Sequence, residues 1–308
     1  MHQAVLLNEV MTGLAPRPGG LYVDGTLGGG GHSRAIAGAI GPAGRLLAID
    51  QDAGALERAR RNLTGLEDRC TLAQGSFARM DEVAQANGFG RVDGVLLDIG
   101  ISSDQLDDPD RGFSFMRDGP LDMRMDQGRP TTAADLLNTL PEYELADLLR
   151  VYGEEPRARA IARQVVRKRV TEPFCRTSQL ADLVMGVYGG RRGRIHPATL
   201  AFQALRIVVN GELEALEKGL EAGLRLLAPG GRFAVITFHS LEDRMVKQFF
   251  VEHQGRFESL PEGGQKWVGQ LPAVKILTRK PVMAAEEECR ENPRARSAKL
   301  RIAERKDS

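Results

Sequence analysis

LYVDGTLGGGGHS, Leu21 to Ser33, is the stretch on which the reading of the fold turns. A short β-rich run, Leu21 to Val23, meets an acid, Asp24, and then Gly25, Gly28, Gly29, Gly30 and Gly31. Glycine has no Cβ, so a tight turn at this point lets the backbone approach a ligand closely. His32 and Ser33 open a helical pattern through Ile40, whose free N–H groups would point at that ligand. About twenty residues further on, a second strand pattern, Arg45 to Ile49, ends in Asp50, where an acid can hold a pair of ribose hydroxyls. Strand, glycine turn, helix, strand and acid together describe a nucleotide-cofactor site at the edge of an α/β sheet. Neither G-x-G-x-x-G nor G-x-x-x-x-G-K-[ST] is present, and the second absence argues against a phosphate-cradling NTPase loop.

The β/α alternation continues. Ala53 to Leu63 has helical periodicity, and Cys70 to Ala73 reads as a third strand, followed by Gly75-Ser76-Phe77. Val92 to Ile99 contains an apolar run typical of a strand buried on both faces and includes Asp98. Leu106 to Gly128 is then too long and polar for an ordinary connection, which marks it as functional. From Thr132 to Val209 the pattern is helical, with segments expected at Glu142 to Val151, Pro156 to Val170, Thr177 to Tyr188 and Pro197 to Leu216. Strand patterns resume at Phe233 to Phe238, Ala273 to Leu277 and Lys299 to Ile302. The expectation is a doubly wound, Rossmann-like α/β sheet with an inserted helical domain: residues 1–107 and 212–308 form the sheet domain and 108–211 the insertion.

Composition sets the remaining bounds. The chain has 308 residues, 42% hydrophobic and 27% charged, as in an ordinary soluble protein. No apolar run approaches the roughly twenty residues that a bilayer requires, and the N-terminus lacks a signal-peptide pattern. Cys70, Cys175 and Cys289 are scattered, suggesting neither a disulfide framework nor a metal knuckle, so a cytoplasmic protein without a metal is expected. The net charge of +1 points to no partner. Its distribution says more: Arg157, Arg159, Arg163, Arg167, Lys168 and Arg169 crowd one segment, Arg191, Arg192 and Arg194 follow, and 290–306 is basic, although charge runs of this kind are commonly solvated faces.

A nucleotide site of this kind fits NAD, FAD or S-adenosylmethionine. Asp24 at the first strand end would attract a cationic amino-acid moiety and repel a pyrophosphate. Phe77 offers a flat face for adenine. Asp98 sits where a substrate nucleophile would meet the cofactor. These residues favour a methyltransferase. Methylating a pyrimidine carbon needs a cysteine nucleophile, and no cysteine lies at a suitable strand end. Methylating an exocyclic amine needs only positioning and acceptors for its protons, which Asp98, Ser102 and Ser103 could supply.

DGTLGGGGHS, LLAID, LLDIGISSDQLDDPDRGFSFMRDGPLDMRMD, HPATLAFQALRI, VITFHSLEDR and ENPRARSAKLRIAER together resemble the bacterial ribosomal RNA small subunit methyltransferase H family. The resemblance covers nearly the whole chain. It implies a class I S-adenosylmethionine-dependent methyltransferase acting on N4 of a cytidine in the decoding region of 16S rRNA, within the small ribosomal subunit. Carried over residue by residue, it puts cofactor contacts at Gly30, Gly31, His32, Asp50, Phe77, Asp98 and Gln105. His32 could instead cap the turn, and Gln105 could be a solvated loop amide. His239 is read either as a base near the acceptor or as a residue fixing Glu242 or Asp243. The prolines that often follow the strand-four acid in DNA amino-methyltransferases are missing after Asp98, so a different arrangement must hold the amine.

RNA binding is expected of the insertion. Arg159, Arg163 and Arg167 recur every four residues beside the apolar face of Ile161, Ala162 and Val165, and such a stripe can follow a phosphate backbone. The alternative is a solvated face balanced by Glu154 and Glu155. Phe113 and Phe115 could stack on an unpaired base or pin their loop to the core. The oligomeric state stays open, with a homodimer admitted. Two other functions compete: an NAD-linked oxidoreductase, for which His239 is the one available proton donor, and a non-catalytic RNA-binding factor on a nucleotide fold.

Overall fold

The computed structural model describes residues 4–190, 196–260 and 262–307, and the side chains of Ser103 and Asp104 fall outside the description. The chain divides into two compact units, Met1–Gly100 with Glu214–Ser308, and Ile101–Leu213.

The first unit is built on one sheet. Its strands are β1 (Leu21–Asp24), β2 (Arg45–Asp50), β3 (Cys70–Gln74), β4 (Val92–Asp98) and β5 (Leu227–Thr237), followed by β6 (Arg256–Ser259), β7 (Gln265–Val268), β8 (Val274–Ile276), β9 (Val282–Met283) and β10 (Lys299–Arg305). The order is β3-β2-β1-β4-β5-β10-β8, with β9 also on β10, while β6 and β7 form a separate hairpin. The strands from β3 to β5 run parallel, and β10 enters antiparallel between β5 and β8. The order reverses between β1 and β4, the switch point at which doubly wound sheets open a crevice for ligands.

Neighbouring residues on each central strand serve opposite faces, as the pleat requires. Val23, Leu47, Leu97 and Val235 belong to one apolar cluster, whereas Tyr22, Leu46, Leu96 and Ile236 belong to another. Burial on both faces explains why β4 reads as a continuous apolar run rather than an alternation.

The helices are α1 (Leu7–Leu14), α2 (Gly31–Ile40), α3 (Ala53–Asn62), α4 (Met80–Ala86), α5 (Ser103–Asp107), α6 (Ala133–Thr139), α7 (Glu142–Gly153), α8 (Ala158–Arg169), α9 (Thr177–Tyr188), α10 (Thr199–Asn210), α11 (Glu212–Leu226), α12 (Ser240–Gln254) and α13 (Glu286–Glu291). The long helix expected from Pro197 to Leu216 is two helices. Gly211, with φ 62°, ends α10 in the left-handed conformation that glycine adopts without strain.

The second unit is a helical cluster around Leu137, Leu145, Leu149, Ile161, Val165, Phe174, Val184 and Leu205. Its long polar segment is fastened by backbone and amide bonds. Leu121 N donates to Cys175 O at 2.9 Å, Ala133 N to Asp122 O at 2.8 Å, and Asn210 bridges Met123 O and Met125 N. Gly119 lies so close to the Pro109 carbonyl that no Cβ fits there. The segment is irregular but tightly held. Among the described residues no helix is long and apolar enough to cross a membrane.

Candidate active site

Parallel register brings three acids to the carboxyl ends of neighbouring strands: Asp24 on β1, Asp50 on β2 and Asp98 on β4. The turn after Asp24 is fastened to both neighbours, Gly25 N donating to Leu96 O and Leu27 N to Ile49 O, each at 2.9 Å. Gly30 then adopts φ 79° and immediately precedes α2, a conformation that L side chains rarely adopt.

Asp24 is held within the turn. It is 1% exposed, and its oxygens accept from Ser33 Oγ at 2.7 Å and from Thr26 N at 3.1 Å. Through these bonds it braces the glycine turn. Burial pushes its carboxyl upward, opposed by the Ser33 hydrogen bond.

Asp50 is half-buried. Its Oδ2 accepts from Gly28 N at 2.8 Å and its Oδ1 from Asp52 N at 2.9 Å. Each carboxylate oxygen can accept twice, so both keep capacity for a ligand's hydroxyls. Asp52 then caps α3 by accepting from Gly54 N.

Asp98 is held differently. Its backbone N–H donates to Thr26 Oγ1 at 2.6 Å, and Thr26 Oγ1 in turn lies 3.4 Å from Asp24 Oδ1. Its Oδ2 stands 3.6 Å from His32 Nδ1, and its Oδ1 is buried without a hydrogen-bond partner among the described residues. Burial pushes the carboxyl up to about 6, although the His32 imidazole pulls it down. His32 does not cap the turn, since its Nε2 lies 2.9 Å from the carbonyl oxygen of Val5 and ties the N-terminal segment to α2.

Thr26 and Ser33 escaped assignment from sequence. An acid followed two residues later by a hydroxyl residue is an Asx-turn signal, and that signal could have found Thr26.

Phe77 follows β3 in a short 3-10 turn, partly buried, with one ring edge against Gly219 of α11. His239 takes the second of its two readings. It caps α12, its ring accepting from Glu242 N while Glu242 Oε2 accepts from Phe238 N and His239 N. His239 Nε2 stands 3.0 Å from Glu242 Oε1, an ion-pair distance off the line of a hydrogen bond. With Glu242 fully buried, this constellation fixes a helix start.

The remaining candidates lie in the second unit. Gln105 is buried, not solvated: its Oε1 accepts from Ser102 N and its backbone N–H donates to Ser102 Oγ. The Ser103 hydroxyl lies outside the described side chains. Phe113 is a core residue, and Phe115 stacks on His196 at 4.5 Å and meets Phe202 edge-on. Both therefore pin their loop to the core, which leaves the base-stacking role without a free ring face at Phe113.

Arg159, Arg163 and Arg167 are exposed on α8, with Ile161, Ala162 and Val165 buried on the opposite side. Arg163 is 3.8 Å from Glu142 in an exposed pair. Their neighbours Arg157 and Arg169 donate to main-chain carbonyls. Glu155 does not balance the stripe, being 2% exposed and bonded to Tyr188 and Arg157 N. Arg191, Arg192 and Arg194 lie outside the described residues.

This chain is 52% identical over 304 residues to a ribosomal RNA small subunit methyltransferase H from Thermomicrobium roseum, covering 99% of this chain and 93% of that protein. It is also 52% identical over 306 residues to the protein of the same name from Geobacter sulfurreducens, covering 99% and 98%. A solved putative rRNA-methylase from Clostridium thermocellum, 12% identical, matches over 100% of this chain and 99% of its own with a TM-score of 0.48. The family model described as the MraW methylase family matches residues 1–306. With that match spanning almost every residue around the three strand-end acids, the chain belongs to the MraW methylase family.

Proposed function

We propose that the protein methylates the N4 exocyclic amine of a cytidine in the decoding region of 16S rRNA, by direct transfer with no covalent bond between enzyme and base. Family membership supports methyl transfer, and the relatives' names support small-subunit rRNA as the substrate. The observation that carries the chemistry is the buried, unpartnered Oδ1 of Asp98 at the switch point of the sheet. A buried acceptor without a donor is costly, and an amine losing its proton would supply that donor.

S-adenosylmethionine is the methyl donor, and the residues present fit it. Asp50 keeps acceptor capacity for ribose hydroxyls, the turn at Gly30 and Gly31 carries no side chains, and Phe77 is partly exposed beside the strand ends. Gln105, with Ser102, braces the segment that follows β4. The oxidoreductase reading loses its proton donor, because His239 is engaged in capping α12.

Asp50→Ala is expected to weaken S-adenosylmethionine binding by about 1.5–3 kcal/mol, the scale of hydrogen bonds to a charged group. Calorimetric titration measures this, with the melting temperature as the control for folding. Unchanged affinity would mean that Asp50 does not hold the ribose.

The Arg159, Arg163 and Arg167 stripe supports the contact with rRNA. Replacing all three with Gln is expected to weaken binding to rRNA or subunits and flatten its salt dependence by roughly one unit of slope for each phosphate no longer neutralised. Cofactor affinity should stay level. A salt slope equal to that of the unmodified protein would return the stripe to a solvated face. The reaction itself is tested by incubating labelled cofactor with small subunits from a strain lacking the activity, then analysing nucleosides by mass spectrometry. Label appearing on a base other than cytosine, or on the ribose, would overturn the N4 assignment.

A further inference from the structure

We propose that His32 is a positioning residue that shares a proton with Asp98, receiving through it the proton that leaves the methylated amine. The proposal rests on the reading of Asp98 as the amine's acceptor, and its foundation is the way the His32 ring is held. The ring is 6% exposed, and its Nε2 lies 2.9 Å from the Val5 carbonyl oxygen. A carbonyl can only accept, so Nε2 must carry hydrogen. In the neutral ring Nδ1 is therefore the bare nitrogen. That nitrogen is the one turned to Asp98, with Nδ1 and Oδ2 3.6 Å apart. This is longer than a hydrogen bond of about 3 Å, and catalytic contacts in unliganded sites are often loose before they tighten.

The other carboxylate oxygen, Oδ1, is buried and has no hydrogen-bond partner among the described residues. Asp98 thus has one oxygen toward a proton-accepting nitrogen and one free for a donor. Its main chain is fixed independently by Thr26 Oγ1.

The proton balance closes. As the N–CH3 bond forms and the S–CH3 bond breaks, the positive charge of the sulfonium passes to the amine nitrogen. The amine then loses a proton to the Asp98 carboxylate, and Asp98 passes a proton to His32 Nδ1. One cation disappears at sulfur and one appears on the imidazolium, so the net charge of the buried site is conserved. Asp98 returns to its carboxylate form. The charged and titratable groups bearing on Asp98 are His32 on α2, Asp24 on β1, Glu242 on α12 and Arg294 after α13. Asp24 and Glu242 oppose its ionisation, while His32 and Arg294 favour it.

Two substitutions divide the ring's two contacts. His32→Gln keeps a donor near the Nε2 position for Val5 and removes the group facing Asp98. His32→Asn keeps an amide near the Nδ1 position and removes the tie to Val5. With 13C-labelled aspartate, assigned through Asp98→Asn, the Asp98 carboxyl is expected to titrate near 6 in the unmodified protein. In His32→Gln that midpoint is expected to shift by about one unit, because the group facing Asp98 Oδ2 is gone, and to shift less in His32→Asn, whose amide stays near the Nδ1 position. The ascending limb of single-turnover methylation against pH should move by the same amount. A ring with only a packing role would lower the rate without moving either midpoint. An Asp98 midpoint unmoved in both variants overturns the proposal. So does a 15N imidazole spectrum of the unmodified protein showing the neutral ring protonated at Nδ1, a measurement that needs no variant. If the carboxyl midpoint moves and the kinetic limb does not, the shared proton stands, and the assignment of Asp98 as the amine's acceptor is what falls.

Discussion

Replacing Asp98 with Asn is expected to lower single-turnover methylation at saturating cofactor by about 10²-fold or more, the scale of losing one preorganised electrostatic group. The N4 lone pair of cytosine is delocalised into its ring, so the nitrogen attacks poorly unless acceptors draw its protons. Asn keeps the shape of Asp98 but offers a weaker acceptor and adds a donor. Cofactor affinity, titrated separately, is expected to change much less. If the whole defect lies in affinity and vanishes at saturation, Asp98 only binds the cofactor.

The same substitution has a signature in stability. The Asp98 carboxyl titrates at about 6 in the folded protein because burial disfavours its charge, against an ordinary aspartate value near 3.9. Between about pH 4 and pH 6 the folded state therefore holds a proton that the unfolded state has lost. Stability falls as pH rises through that window, by about 1–3 kcal/mol in all. Asp98→Asn removes this loss, so the unliganded variant is expected to melt higher than the parent at pH 7 and to match it more closely at pH 4. If Asp98 also supports turnover, its cost in stability is the expected trade. Equal melting temperatures at both pH values would show that Asp98 is not strained by its burial.

The sheet was legible because parallel strands buried on both faces leave continuous apolar runs and because the glycines after Asp24 have no reason to cluster except a turn. β2, β3 and β4 fall within a residue or so of where periodicity puts them. The single helix expected from Pro197 to Leu216 missed the break at Gly211, since apolar spacing continues across it and only backbone geometry shows the left-handed turn. The hairpin of β6 and β7 was invisible for a different reason. Most of its residues are exposed, so no burial pattern marks them.

The candidate site residues divided along similar lines. Position at a strand end is readable, so Asp24, Asp50 and Asp98 could be placed there from sequence. What each carboxylate bonds to is not readable, because hydrogen bonds such as Ser33 to Asp24 or His32 to Val5 join residues whose approach depends on the whole turn. The same limit applied to His239 and Phe113, whose residue types suit a site as well as a helix cap or a core.

Asp24→Ala is expected to be the most damaging single change at the turn, destabilising the protein by about 2–4 kcal/mol and weakening cofactor binding at least tenfold. The first figure follows from stranding Ser33, which is fully buried and donates to Asp24 at 2.7 Å, and from losing the Thr26 N–H bond. A buried donor left without its acceptor costs about 1–3 kcal/mol, and a hydrogen bond to a charged group contributes about 1.5–3 kcal/mol. The desolvation that already burdens the Asp24 carboxylate offsets part of that sum. The second figure follows from the turn itself: with its brace gone, the backbone between Gly25 and Gly31 no longer has one conformation to offer a ligand. Asp24→Asn separates this account from a direct contact with a cationic ligand. Asn keeps an oxygen for Thr26 N–H, and the Ser33 hydroxyl can rotate to accept from the new amide. A brace therefore survives the change with most of its affinity, whereas a charge partner would lose as much with Asn as with Ala. Thermal melts and cofactor titrations of the two variants, together with Ser33→Ala and the double variant Asp24→Asn/Ser33→Ala, decide between them. Additive stability losses in that cycle would mean that Asp24 and Ser33 do not act as a unit.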